Sequence, residues 1–245
     1  MTARVEEVLG AMARFPTVEP ADFVRRGLVV IAPHPDDESL GCGGLIAACR
    51  DIGLPVTIII VSDGAGSHPR SRLFAAPRLA QLRRREAVEA AARLGVPASA
   101  VHFLELPDRF VPAHGAEAER AAGRIAALAV GADVVTVTWR HDPHADHQAS
   151  FALAREAVRR LPGARLWEYP VWGLTLPPET RLDAAPVAGV RVPIAPFLDA
   201  KRAAIAAHAS QTTDLIADDP EGFRLTSPVL ALFDVPLETF VGPVS

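Results

Sequence analysis

The hydrophobic positions fall into short runs separated by segments of helical period. Leu28–Ile31 is continuously apolar, as expected of a strand covered on both faces, and Val56–Val61, Val101–Leu104 and Val134–Thr138 read as three more strands. Helices are predicted between them. The first carries Leu45, Ile46, Cys49 and Ile52 and ends near Gly53. The second spans Leu79–Leu94, with an apolar stripe at Leu79, Leu82, Ala87, Ala90 and Leu94, stopped by Gly95 and Pro97. Ala116–Val130 is an alanine-rich helix, and Ala149–Leu161 is another. An amphipathic helix with Val5, Val8, Leu9 and Met12 precedes the first strand. After the fourth, Arg165–Val171 reads as extended, and two short apolar extended pieces, Val187–Ile194 and Val229–Phe233, flank a helix from about Pro196 to Ser210.

Strands alternating with helices predict right-handed crossovers and an α/β fold, a Rossmann-like three-layer sandwich with a mostly parallel sheet. No repeat, linker or low-complexity segment interrupts residues 1–245, so a single domain is expected. Hydrophobic residues make up 49% of the chain and charged residues 22%, which excludes a disordered polymer. The net charge of −4 argues against a nucleic-acid binder, which carries a basic face. No run approaches the length of a membrane span, and Glu6, Glu7 and Arg14 make the N-terminus unlike a signal peptide. Cys42 and Cys49, seven apart on a predicted helix, are poorly placed for a disulfide. A cytoplasmic protein is expected; the number of subunits stays open, a homo-oligomer included.

The polar clusters change the picture from fold to chemistry. Ligands of a parallel sheet bind beyond the C-terminal strand ends, and Pro33–Glu38, Ser62–Gly64, Pro107–Arg109 and Arg140–His147 all fall there. His34, Asp36, Asp37 and Glu38 crowd one imidazole and three carboxylates into five residues. Such carboxylates repel one another and are costly to bury, and a divalent cation turns that repulsion into shared attraction. His34 with Asp36 or Asp37 suits zinc, iron or a related ion; spacing does not choose between the two aspartates. The bland alternative is a solvated acidic turn capping the next helix. The segment 140–147 adds His141, His144 and His147 with Asp142 and Asp146. His144 and His147 face the same way in a helical turn, and either or both can reach one ion.

Pro33-His34-Pro35-Asp36-Asp37-Glu38 followed by His144-Ala145-Asp146-His147 resembles the PIG-L/LmbE-like family of zinc-dependent N-acetylglucosaminyl deacetylases. Pro33 and Ala145 depart from that family's alanine and proline, neither of which supplies a reacting side chain. The likeness runs from Val29 to about Gln211 and takes in Arg83-x-x-Glu86, Leu106-Pro107-Asp108 and Lys201…His208-x-Ser210-Gln211. It implies that His34, Asp37 and His147 bind Zn2+, or another divalent metal such as Fe2+. It also implies Asp36 as general base and His144 as oxyanion stabiliser or acid, with an N-acetyl group removed from a glucosamine-containing glycoconjugate. The chemistry agrees: three protein ligands leave zinc an open place for water, whose pKa falls to roughly 7. A carboxylate such as Asp36 takes the water's proton and passes it to the leaving amine. A cationic His144 suits the developing oxyanion, and Asp146 is placed to orient that imidazole and keep its pKa high.

Arg83 and Glu86 read either as a surface pair or as groups turned into the crevice, where Arg83 would grip substrate. Asp108, past a strand end, suits bidentate bonds to sugar hydroxyls, a substrate contact the resemblance also implies. Lys201, His208 and Gln211 share a helical face, a solvated stripe or an internal network behind the site. The loop of His68, Arg70 and Arg72 departs from the family pattern and is expected to cover the site and set the substrate. Trp139, Trp167 and Trp172 are core residues or sugar-stacking surfaces. The competing functions are an amidohydrolase acting on a non-sugar amide, a metal-holding scaffold without activity, and a nucleotide-binding module. Gly41-Cys42-Gly43-Gly44 speaks weakly for the last, since it is not Gly-x-Gly-x-x-Gly and lies past carboxylates that repel pyrophosphate.

Overall fold

A computed structural model describes residues 2–183 and 187–244. The chain opens with β1 (Thr2–Arg4), α1 (Val5–Met12) and α2 (Pro20–Phe23). Strands and helices then alternate through β2 (Leu28–Ala32), α3 (Asp37–Asp51), β3 (Val56–Ser62), α4 (Ala76–Arg93), β4 (Val101–Leu106), α5 (Gly115–Leu128), β5 (Val134–Thr138), α6 (Ala145–Val158) and β6 (Arg165–Tyr169). The remainder comprises β7 (Arg181–Asp183), β8 (Gly189–Pro193), α7 (Leu198–Ala207), α8 (Ala209–Thr212), α9 (Ser227–Phe233) and β9 (Leu237–Val244).

The main sheet has the order β4-β3-β2-β5-β6-β9-β8. Strands β4, β3, β2, β5 and β6 are parallel, and β9 and β8 add an antiparallel edge. Period-two alternation assigns the two faces. Leu28, Val30 and Ala32 of β2 join a core with α3, α4 and α7, whereas Val29 and Ile31 join one with α5 and α6. The sandwich of three layers follows from that division. The chain moves outward from β2 to β3 and β4 and then returns to lay β5 on the other side of β2. This reversal is the switch point at which open α/β sheets form their crevice. Leu28–Ile31 pair in register with Val134–Val137, so the segments after β2 and β5 emerge side by side.

Two expectations need correction, and one strand lay outside them. Val229–Phe233 is helical, within α9, with Pro228 in its first turn; a short apolar run carries no period that separates helix from strand. The helix expected over 196–210 breaks at His208, where ψ is 58° and α7 gives way to α8. Strand β9, whose residues include Glu238, Thr239, Gly242 and Pro243, has no apolar run to announce it and was not anticipated. Cys42 and Cys49 are both buried and free. Among the described residues no helix is long and apolar enough to cross a membrane.

Candidate metal centre and active site

The turn after β2 is fixed from its neighbours. Ser62 N–H donates to Pro33 O at 2.9 Å, and the Asp37 carboxylate accepts His34 N–H at 3.0 Å. Asp36 sits at φ 151°, a backbone region that side chains rarely enter, just before α3 begins. It is bracketed from both sides. Arg83 Nη2 donates to Pro35 O at 2.8 Å and to Asp36 Oδ2 at 3.1 Å, while Glu38 Oε2 accepts Asp36 N–H at 3.1 Å. Arg83 Nη1 donates to Gly64 O at 2.9 Å, and a side chain at Gly64 would strike the guanidinium. Glu38 is locked in turn by Ser39 Oγ at 2.7 Å and His208 Nε2 at 3.1 Å.

Asp37 Oδ2 lies 3.3 Å from His34 Nδ1 and 3.2 Å from His147 Nε2. Donors about 2.0–2.1 Å from a shared tetrahedral ion stand about 3.3 Å apart, so these separations fit one divalent cation. His147 Nε2 is buried without a hydrogen-bond partner, a costly state for a polar atom that a cation relieves. The opposite nitrogens are held by carboxylates. His147 Nδ1 lies 2.9 Å from Asp142 Oδ2, and His34 Nε2 lies 3.1 Å from Asp146 Oδ2 and 3.3 Å from Asp108 Oδ1. Ligand atoms also gather closely in His34, His144 and His147 and, as a second cluster, in His34, Asp108 and Asp146. That second cluster is already satisfied: Asp146 accepts Arg109 N–H at 2.6 Å and Val111 N–H at 3.1 Å, and Asp108 accepts Gly66 N–H at 2.8 Å. It orients His34 from behind, a common arrangement for a metal-binding imidazole.

The charges answer to this geometry. Burial opposes ionisation of Asp37, but His147 and His34 hold its carboxyl well below the usual range. His147 is raised to about 9, the pull of Asp37 and Asp142 outweighing burial, and His34 is raised by Asp108, Asp146 and Asp37. The same negative field favours a cation. Burial pushes Asp36 up to about 6, although the Arg83 charge works against it.

His144 departs from expectation. It caps α6 with Nδ1 accepting Asp146 N–H at 3.2 Å, while the Asp146 carboxylate goes to His34 instead. Burial and the neighbouring His34 and His147 lower its pKa. With Nδ1 accepting that N–H, the ring can donate only from Nε2, and the Asp146 carboxylate does not support it in the way expected. Arg83 is likewise spent on Asp36 and two carbonyls. Glu86 does not pair with it but accepts Ser210 N–H at 2.8 Å and Ser210 Oγ at 2.6 Å. Lys201 is buried against Glu238 at 2.7 Å, part of an internal network and not a solvated stripe.

These groups share a cavity of about 340 Å³ lined by His34, Asp36, Asp37, Asp108 and His144 together with Gly66, Ser67, Arg109, Trp172, Thr175 and Phe223. Of the segment that carries His68, Gly66 and Ser67 line the cavity, whereas His68 itself is buried against Gly222 and does not. Asp218 holds that loop through Ser71 Oγ at 2.7 Å and Arg72 N–H at 2.8 Å, and Phe223 N–H donates to Ser67 O at 2.8 Å. Trp139 and Trp167 are core residues; of the tryptophans only Trp172 reaches the cavity. Asp142 went unassigned in the sequence, although its place five residues before His147 marks it. Phe223 carries no sequence signal at all.

The model of the PIG-L family, described as GlcNAc-PI de-N-acetylase, matches residues 29–158. The chain is 27% identical over 200 residues to a probable N-acetyl-alpha-D-glucosaminyl L-malate deacetylase 2 of Bacillus cereus, covering 80% of this chain and 88% of that one. Its fold is similar to that of the N,N'-diacetylchitobiose deacetylase of Pyrococcus horikoshii, with a TM-score of 0.65 and 24% identity over 91% of this chain and 86% of that one. A conserved protein of Thermus thermophilus is similar at a TM-score of 0.63 and 26% identity, covering 89% and 94% of the two chains.

Proposed function

Because the chain belongs to the PIG-L family, we propose that it is a zinc-dependent hydrolase removing the N-acetyl group from a glucosamine-containing glycoconjugate. The observation that carries this reading is Asp37 Oδ2, 3.3 Å from His34 and 3.2 Å from the unpartnered His147 Nε2, lining a cavity that Asp36 and His144 share. His34, Asp37 and His147 would hold the ion. Bound there, zinc supplies Lewis acidity to the amide carbonyl and acidifies water.

The chain's own groups perform the proton transfers. Arg83 occupies Asp36 Oδ2, which leaves Oδ1 to take a proton from the attacking water. The C–N bond breaks as Asp36 returns that proton to the nitrogen, releasing acetate and a free amine. His144 Nε2–H faces the oxygen on which charge develops and donates to it. Asp142 and Asp146 keep His147 and His34 in the tautomers that present the correct nitrogens. Asp108 retains acceptor capacity for sugar hydroxyls beside its bond to Gly66.

The test is acetate release from a panel of N-acetylglucosaminides by protein stripped with chelator and reloaded with zinc or iron. Activity should return with metal. Asp36→Asn and His144→Gln should each lose about a hundredfold or more in kcat while retaining metal. Loaded protein that releases no acetate from any member, or an Asp36→Asn protein at full rate, would overturn the assignment.

A further inference from the structure

We propose that His208 is a positioning residue for the general base: acting through Glu38, it holds the Asp36 backbone in the conformation that sets the Asp36 carboxylate against the cavity. The inference rests on the deacetylase reading for the identity of the base, whereas the contacts it names are independent of turnover.

The Asp36 backbone needs outside support. At φ 151° it lies where side chains are rarely found, and such a conformation persists only when the surroundings over-determine it. Its carbonyl accepts the N–H groups of Ser39 and Leu40, both at 3.0 Å, as the start of a helix ordinarily provides. Its N–H has a less ordinary partner, Glu38 Oε2 at 3.1 Å, on a side chain turned back from two residues ahead. That brace is firm because its other oxygen is held. Glu38 Oε1 accepts Ser39 Oγ at 2.7 Å and, from 170 positions away, His208 Nε2 at 3.1 Å. A carboxylate oxygen accepts, so Nε2 carries the proton. Glu38 and His208 are both fully buried, where a carboxylate that loses a donor pays heavily.

The fold delivers the imidazole to this point. Helix α7 ends at His208, where ψ of 58° breaks it, and the His208 carbonyl accepts Gln211 N–H at 2.9 Å and Thr212 N–H at 3.0 Å to start α8. Two residues on, Ser210 N–H and Oγ bind Glu86, on the helix that carries Arg83. Residues 208–210 therefore fasten both supports of the base: Glu38 on its N–H, and α4, whose Arg83 reaches Oδ2 at 3.1 Å. His208 does not line the cavity, so a change there leaves the substrate's own contacts in place. A reacting group misplaced by about 1 Å costs about a hundredfold in rate, and the loss falls on kcat.

The test combines kinetics, bound zinc and a crystal structure for His208→Met, which removes the donor, and His208→Gln, whose amide keeps one. His208→Met should lose about tenfold or more in kcat, with KM and zinc content within about twofold of the unmodified protein. His208→Gln should recover most of that loss, and in the His208→Met crystal the Glu38 carboxylate should have left the Asp36 N–H. Full kcat in His208→Met, a loss confined to KM or zinc, a glutamine variant no better than the methionine one, or an unaltered Asp36 turn would each refute the role. Should His208→Met fail to fold, Ser39→Ala removes the other donor to Glu38 Oε1; a lowered kcat at constant KM supports the proposal and an unchanged kcat sinks it. If the unmodified, zinc-loaded protein releases no acetate, the deacetylase reading fails, and the crystal structure of the turn alone decides the role of His208.

Discussion

Asp142 and His147 are joined by a 2.9 Å contact from carboxylate to Nδ1, and the same carboxylate accepts the N–H groups of Val171, Trp172 and Gly173. One side chain thus holds both the imidazole of His147 and the backbone that carries Trp172. Asp142→Asn should lower zinc affinity about ten- to a hundredfold and weaken substrate binding with it. Competition with a chelating dye, paired with KM, tests this. Unchanged affinity would remove Asp142 from the centre.

Under the proposed mechanism Arg83, bonded to Asp36 Oδ2, acts through that carboxylate. Arg83→Met should lower kcat by about tenfold or more with KM and bound zinc nearly unchanged, because Asp36 loses its partner on Oδ2. Adding guanidinium to Arg83→Ala should recover part of kcat. A rise in KM alone would return Arg83 to the substrate-gripping role first expected of it.

Asp133 contributes to acid stability away from the site. Burial works against its carboxylate, but the N–H groups of Arg26, Gly27 and Arg25 hold its pKa below the ordinary value. A depressed folded pKa stabilises the protein above the unfolded value of about 3.9 and is lost as pH falls through the folded one. Asp133→Asn should cost about 1–3 kcal/mol near pH 7, and the difference should shrink below about pH 4. Denaturant titrations at pH 7 and pH 3 measure both.

The cysteines should be silent in the folded protein. Burial pushes Cys49 up to about 12 and raises Cys42 as well. Thiol reagents at pH 8 should therefore label neither residue until denaturant is added. Rapid labelling of the native protein would contradict the packing around α3.

The parallel strands and both donor segments were legible because each combines an apolar run with an abrupt polar cluster. Tertiary contacts decided what was not. Asp146 was read with its neighbour His144, yet its carboxylate bonds His34, more than a hundred positions earlier. Arg83 and Glu86 share a helix face, but their partners, Asp36 and Ser210, lie on separate segments. Strand β9 was hidden because Glu238, which accepts the N–H groups of Gly44 and Leu45 and pairs with Lys201, looks like a surface residue in sequence.

Because β2 and β5 are hydrogen-bonded neighbours, the segments leading to His34 and to His147 leave the sheet side by side, from a backbone ladder about 4.8 Å wide. Arg109, Trp172 and Phe223 hang on three segments outside that ladder. Substitutions at these three positions should therefore reshape the cavity wall and leave the pairing of β2 with β5 in place.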